Sequence, residues 1–434
     1  MIKFDLSIDH GQQGSYFTVP FEVPVGIESI ELSYQYPRRA AYKEKLLNGV
    51  FTAMPEINIV DIGLITPDGR QVGASGSDKT RIYISECKAT PGYTACAVSP
   101  GRWQIIVGAY KIAPEGVDLH YEIILKEKSW RWLRGDLHVH SIVSDGVHTI
   151  EELAMKAKAN GLDFLAITDH NQMVSSAELP CIPGVTLIPG VEWTHYQGHA
   201  NFLGVDSPYD EPFFTNSLED TKARFASARE RGALTTINHP FEGNSSFLFD
   251  FNELPFDCLE VWNGPMRESN LKAVGLWQQW LGSGMRVPIT GGSDYHRDTP
   301  FIFLGGPTMG VYALSAGTSD IISALRQGHS YITFAPNGPT IEMRAGSGIM
   351  GDQVPWQDVR ELQLCLAGLL AGDVVRVVSG GENDIVYTAA SDGSLEFTYA
   401  MKQPGFARVE VLRAFLPGLP LLPALLSNPI YFTA

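Results

Sequence analysis

TIEELAMKAKANGLDFLAITDH, residues 149–170, runs from a helix into a buried strand and ends on an acid and an imidazole. Thr149-Ile-Glu-Glu152 is a capping box, in which hydroxyl and carboxylate satisfy the free backbone N–H groups of a helix start. Asn160-Gly161 supplies the stop, and Phe164-Leu-Ala-Ile-Thr168 follows as a strand covered on both faces. The unit recurs downstream. Ser217-Leu-Glu-Asp220 opens a helix that closes at Gly232 before Leu234 to Ile237, and a helix from roughly Ser269 to Leu281 leads into Val287-Pro-Ile-Thr290. From Gly135 to about Phe334 this alternation suits a barrel of parallel strands.

On either side the period changes. Up to about Leu125 short alternating runs dominate, as in Ile30-x-Leu32-x-Tyr34-x-Tyr36, Ile82-x-Ile84 and Tyr121 to Leu125, with Pro67-Asp68-Gly69 and Pro91-Gly92 as turns. That pattern predicts an antiparallel β-sandwich. After Pro336 the alternation returns in Val374 to Val378, Leu395-x-Phe397-x-Tyr399 and Val409-x-Val411, with Ser391-Asp-Gly393 as a hairpin signal. The expected organisation is therefore a β-sandwich domain over 1–130, an α/β barrel over 131–335 and a small β domain over 336–434.

Composition narrows the function. The 32 Lys+Arg against 48 Asp+Glu give a formal charge of -16, which argues against general affinity for nucleic acid or anionic membrane. Met1-Ile-Lys-Phe-Asp lacks the pattern of a signal peptide, and the apolar stretch from Ala414 to Leu426 is interrupted by Pro417, Pro420 and Pro423, so a cytoplasmic protein without a membrane span is expected. Five scattered cysteines, Cys87, Cys96, Cys181, Cys258 and Cys365, do not form a disulfide or thiolate-zinc pattern.

Eight of the eleven histidines fall between His138 and His296, and several directly follow the apolar runs. His138-Val-His140 places two imidazoles on one side of an extended chain, which alone fits a metal pair or a merely hydrogen-bonded one. Thr168-Asp169-His170, Val191-Glu192, Asn238-His239-Pro240 and Ser293-Asp294-Tyr-His296 end four further strands in the same way. Carboxylates mixed with imidazoles at five strand ends suit a multinuclear site for Zn, Mn or Fe(II). The paired acids Glu151-Glu152 and Glu219-Asp220 lie in first helical turns and read as capping groups.

Asp136-Leu-His138-Val-His140-Ser, Ser144-Asp145-Gly146, Ile-Thr-Asp169-His170-Asn, Gly190-Val-Glu192 and Gly198-His199 resemble the PHP (polymerase and histidinol phosphatase) superfamily, as do Asn238-His239-Pro240 and Asp294-Tyr-His296. Glu192 followed by Gly198-His199, with a preceding β domain and the closing Ser427-Asn-Pro-Ile-Tyr431, looks most like its CehA/McbA-like branch. The resemblance implies a distorted (β/α)7 barrel and two or three divalent metal ions. His138, His140, Glu192 and Asp294 would hold the first; Glu192 would bridge to a second held by His199 and His239; Asp145, His170 and His296 would hold a third. Asp145 departs from the histidine many relatives carry there. The implied reaction is hydrolysis of a small phosphate ester by a metal-bridging hydroxide, with a carboxylic or carbamic ester as the alternative substrate and a non-catalytic, metal-stabilised binding protein as the alternative class. Glu192 and Asp294 are thus the expected catalytic carboxylates, and Arg267 and Arg297, the arginines nearest the motifs, the expected phosphate contacts. The expected partner is a small-molecule ester, with neither nucleic acid nor membrane, and homo-oligomerisation is left open.

Overall fold

The computed structural model describes residues 1–39, 55–380 and 382–433, and the fold is mixed α/β, with far more strand than helix. The chain divides into two compact units, Met1–Ser129 and Trp130–Ala434.

The first unit is antiparallel throughout its described residues. One sheet orders Ile2–Ile8, Val117–Glu127, Ile27–Gln35, Arg81–Ser85 and Lys88–Ala89; the other orders Tyr16–Val23, Gly101–Lys111, Ile59–Ile65 and Gln71–Ser75. Inward residues of both, among them Ile30, Leu32, Trp103, Ile105 and Val107, are fully buried in one apolar core. Alternation of period two produces this arrangement, because each strand turns every second side chain inward. None of the five cysteines, all of them among the described residues, is joined in a disulfide.

In the second unit the strand-helix alternation appears as β1 (Arg131–Asp136), α1 (Ile150–Ala159), β2 (Phe164–Ala166), β3 (Thr186–Ile188), β4 (Gly190–His195), β5 (Gly198–Leu203), α2 (Leu218–Glu230), β6 (Leu234–Ile237), β7 (Cys258–Asn263), α3 (Glu268–Gly282) and β8 (Ile289–Gly292). Thr149 caps α1 and completes the capping box with Glu152, while Ser217 caps α2, as the sequence indicates. A further helix that the sequence reading does not name, α4 (Thr318–Gln327), stands between β9 (Thr308–Ala313) and β10 (Ser330–Thr333) and is stopped by Gly328 in the left-handed conformation. β4 to β8 form one five-stranded sheet, and β3-β2-β1-β9-β10 form the first part of another.

That second sheet does not stop at residue 336. β10 pairs with Leu422–Ser427, which pairs with Gly405–Arg413 and then Val374–Ser379, so one eleven-stranded sheet runs through both parts. The hairpin read at Ser391-Asp-Gly393 is a correction: Glu382–Thr388 pairs with Val374–Ser379, whereas Gly393–Ala400 pairs with Glu361–Leu369 in a separate four-stranded sheet. Turn residues specify that the chain reverses and leave the partner to side-chain packing.

The C-terminal strands are pinned by a buried fork. Arg413 places Nε 2.8 Å and Nη2 2.6 Å from the two oxygens of Asp373, and both side chains are buried. Asp373→Ala strands the guanidinium and is expected to cost about 3–5 kcal/mol, read as a lowered urea midpoint; a loss under about 1 kcal/mol would assign the pair no role in stability.

Candidate metal centre

Glu192 projects from the middle of β4 and is fully buried. Burial on this scale requires compensation from positive charge or hydrogen bonds. Five imidazoles provide it: His138 Nε2 (3.2 Å), His140 Nε2 (3.6 Å), His170 Nδ1 (2.7 Å), His199 Nδ1 (3.1 Å) and His239 Nε2 (3.3 Å) all lie on its two oxygens. Asn238 Nδ2 donates to Oε1 at 2.9 Å. Burial alone would raise the Glu192 carboxyl, but His138 with His170 and His199 holds it well below the usual carboxylate range.

Asp294, at the end of β8, stands 3.1 Å from His140 Nε2, 3.5 Å from His138 Nε2 and 3.6 Å from His296 Nδ1. Asp145 is more exposed; it meets His296 Nε2 at 3.1 Å and His170 Nε2 at 3.8 Å. All nine expected ligands thus come together. His140, Asp145, His170 and His296 form one donor set, His138, His140 and Glu192 a second, and His170, Glu192 and His199 a third. His138 and His239 form a further set with Glu260, a residue the sequence reading does not name. Its signal was a lone acid inside the apolar run Cys258-Leu-Glu-Val-Trp262, a place where a carboxylate needs a partner.

The donors suit a cation. His138 Nε2, both ring nitrogens of His140, Glu192 Oε2 and His239 Nδ1 are buried without an aligned hydrogen-bond partner, although carboxylates and imidazoles surround them. Unpaired buried acceptors of this kind are costly unless an ion satisfies them. Burial lowers His138, but Asp294, Glu260 and Glu192 outweigh it and raise this imidazole well above its ordinary value. His140, with less compensation, is lowered by burial.

Two acids that are not expected ligands brace the loops. Asp136 accepts the backbone N–H of Ser293 (2.9 Å) and Gly305 (2.8 Å), and burial pushes it up to about 6 against these bonds. Asp169 accepts both N–H and hydroxyl of Ser141 and of Ser144, fixing the loop that carries Asp145. His239 and Asp294 have φ of +26° and +50°, left-handed values that cost about 1–3 kcal/mol in a non-glycine residue and persist only where surroundings enforce them.

Further histidine, tryptophan and arginine side chains of this region stand outside these donor sets. His195 stacks on Trp193 at 5.1 Å and lies tilted against Tyr196 at 4.0 Å, with Nε2 3.2 Å from the Thr215 carbonyl. Trp193 and Trp262 are buried, their indole N–H groups donating to Phe213 and Gly264 carbonyls. Arg267 precedes α3 without capping it, its guanidinium paired with Glu242 (Nε, 3.0 Å) and hydrogen-bonded to Asn263 (Nη2, 2.9 Å), while Arg297 is exposed.

Residues 136–222 match the PHP domain family. A 5'-3' exoribonuclease of Haemophilus influenzae is 37% identical over 93 residues, 20% of this chain and 34% of that protein. A 3',5'-nucleoside bisphosphate phosphatase of Chromobacterium violaceum is 33% identical over 106 residues, 23% of this chain and 36% of that protein. The chain therefore spans about a third of the length of these curated relatives. A Bacteroides vulgatus two-domain protein containing a predicted PHP-like metal-dependent phosphoesterase superposes with a TM-score of 0.41 at 18% identity, over 65% of this chain and 90% of that one.

Two predictions follow from the geometry. Protein purified without chelator should carry two or three transition-metal ions per chain by elemental analysis, and a content below one that added Zn or Mn does not restore would rule the cluster out. A side chain at Gly292 would place its Cβ 2.3 Å from His138 Cβ, so Gly292→Ala should displace that imidazole and lower metal content while the fold, followed by circular dichroism, survives.

Proposed function

We propose that this chain is a metal-dependent hydrolase that cleaves a small phosphate ester. The observation that carries the proposal is the convergence of five imidazoles on the buried Glu192, with Asp294, just past β8, against His138 and His140, and Asp145, in the loop after β1, against His170 and His296. Divalent ions held there would polarise the ester and lower the pKa of water at neutral pH. His138, His140, Glu192 and Asp294 are the proposed ligands of one ion, Glu192 with His199 and His239 of a second, and Asp145, His170 and His296 of a third. A distorted (β/α)7 barrel over 131–335 is the proposed frame.

The chain's own residues set the charge and shape of the reaction space. Glu192 fixes the spacing of the imidazoles around it, because every one of them contacts one of its two oxygens. Arg267 is the cation that meets the substrate in this reading: its Nε and Nη2 are engaged by Glu242 and Asn263, which orient the guanidinium. Arg297, adjoining His296, is the second. The names of the relatives support a phosphate over a carboxylic or carbamic ester, and the exoribonucleases among them bring nucleotide phosphates within the proposed substrate range despite the acidic chain. Hydrolysis of a carbamate, as in the CehA/McbA-like branch, remains the alternative substrate reading.

The test is a panel of a phosphomonoester, a nucleoside bisphosphate, a carboxylic ester and a carbamate, each with Zn- or Mn-loaded protein. Phosphate release abolished by chelator is expected. Turnover confined to the carboxylic ester or carbamate would transfer the assignment there, and metal-replete protein inert toward all four would indicate a binding protein. Arg267→Ala should raise KM for the phosphate about 10-fold or more, in line with a lost charge-assisted hydrogen bond, and leave a neutral ester unchanged. Glu192→Gln should lose more activity than Asp145→Ala, since only the former serves two proposed ions; equal losses would make the third ion as essential as the pair.

A further inference from the structure

Strand β7 contributes none of the nine proposed ligands, yet two of its side chains hold three of them. Glu260, 2% exposed, accepts from His138 Nδ1 through Oε1 at 3.0 Å and from the backbone N–H of His239 through Oε2 at 2.9 Å. Asn263 donates through Nδ2 to Glu260 Oε2 at 3.2 Å and to Asp294 Oδ2 at 3.3 Å. Arg267 Nη2 donates to Asn263 Oδ1, and a guanidinium has no acceptor, so this bond fixes which end of the amide is oxygen.

We propose that Glu260 and Asn263 are positioning residues of the metal centre, Glu260 for His138 and His239 and Asn263 for Asp294. This inference rests on the reading that the cluster holds metal. An ionised carboxylate only accepts, so its contact with Nδ1 places the ring proton there and leaves the Nε2 lone pair for the ion. Nε2 is the nitrogen that faces Glu192 and Asp294 and lacks an aligned partner. The second oxygen of Glu260 acts on the backbone: it accepts the N–H of His239, whose φ of +26° needs an external tie. Asn263 does for Asp294, at φ +50°, what Glu260 does for the imidazole, by occupying Oδ2 and leaving Oδ1 toward His138 and His140. Glu260 is near enough to His138 and His239 to form a donor set with them, but both of its oxygens are already engaged, Oε1 by His138 Nδ1 and Oε2 by the His239 N–H and Asn263 Nδ2.

The test uses full-length protein stripped with chelator and titrated with Zn against a chromophoric competitor. Glu260→Gln keeps the shape but replaces one acceptor by a donor, and should weaken Zn binding by about 10- to 100-fold. Asn263→Ala should weaken it in the same direction, with Asp294 freed from its tie. Melting of the metal-free proteins separates packing from positioning: lower melting with unchanged Zn affinity in both variants would overturn the inference and leave the metal reading intact. Should Glu260→Gln fail to fold, Asn263→Ala and ring-nitrogen NMR of the Zn-loaded wild type decide. A His138 spectrum with the proton on Nδ1 is expected, and a proton on Nε2 would overturn the assignment to Glu260. A wild type that binds no Zn removes both the metal reading and this inference.

Discussion

A carboxylate without water must be surrounded by something that replaces water, and Glu192 is the point at which this chain meets that demand. Its neighbours come from the segment after β1, the loop after β2, β5 and the loop after β6, so the requirement of one buried side chain reaches into four segments. Three of the imidazoles are in turn near a second carboxylate or a hydroxyl: His138 meets Glu260, His140 meets Asp294, and His170 meets Thr194 Oγ1 at 2.6 Å. Removing any one group leaves others buried without compensation, which is why such clusters are coupled rather than additive.

Strain in the backbone is concentrated at the same place. The three non-glycine residues with positive φ among those described are Asn171, His239 and Asp294, all at strand ends that face the cluster or adjoin it. Their conformations turn side chains inward just past the last ladder bond, where regular strand geometry would alternate them away. The backbone N–H of His239 donates to Glu260 on β7, and the side chain of Asn171 accepts the N–H of Thr194 on β4 through Oδ1. Close packing adds a second constraint, because Gly292 lies so near His138 that a side chain there would meet its Cβ and backbone.

Much of this was legible in the chain itself. The capping residues Thr149 and Ser217 name their helices because the chemistry of a helix start is local. Several of the proposed ligands stand out because they follow an apolar run, where a polar residue needs a reason, whereas Asp145 and His199 follow none and rest on the family resemblance. Glu260 escaped notice for the opposite cause: it lies inside its run, flanked by Leu259 and Val261, without a histidine beside it in sequence. Pairing was the other gap. Nothing near Ser391-Asp-Gly393 reveals that the strands on its two sides join different sheets, since partners such as Gln363 and Thr398 are decided by contacts distant in sequence.

The unbroken ladder from β3 through β10 into Leu422–Ser427 bears on how such a chain can change over evolutionary time. A part joined by a linker can be lost or exchanged by recombination at little structural cost. Here β10 shares its hydrogen bonds between β9 and Leu422–Ser427, and the side-chain amide of Asn428 reaches back to the carbonyls of Ile289 and Ser330. Cutting the chain after Thr333 would expose an open strand edge two strands from β1, the kind of surface that seeks a partner in another molecule. The last hundred or so residues are thus inherited with the strands that bear the cluster, and variation in them is held to whatever keeps that edge covered.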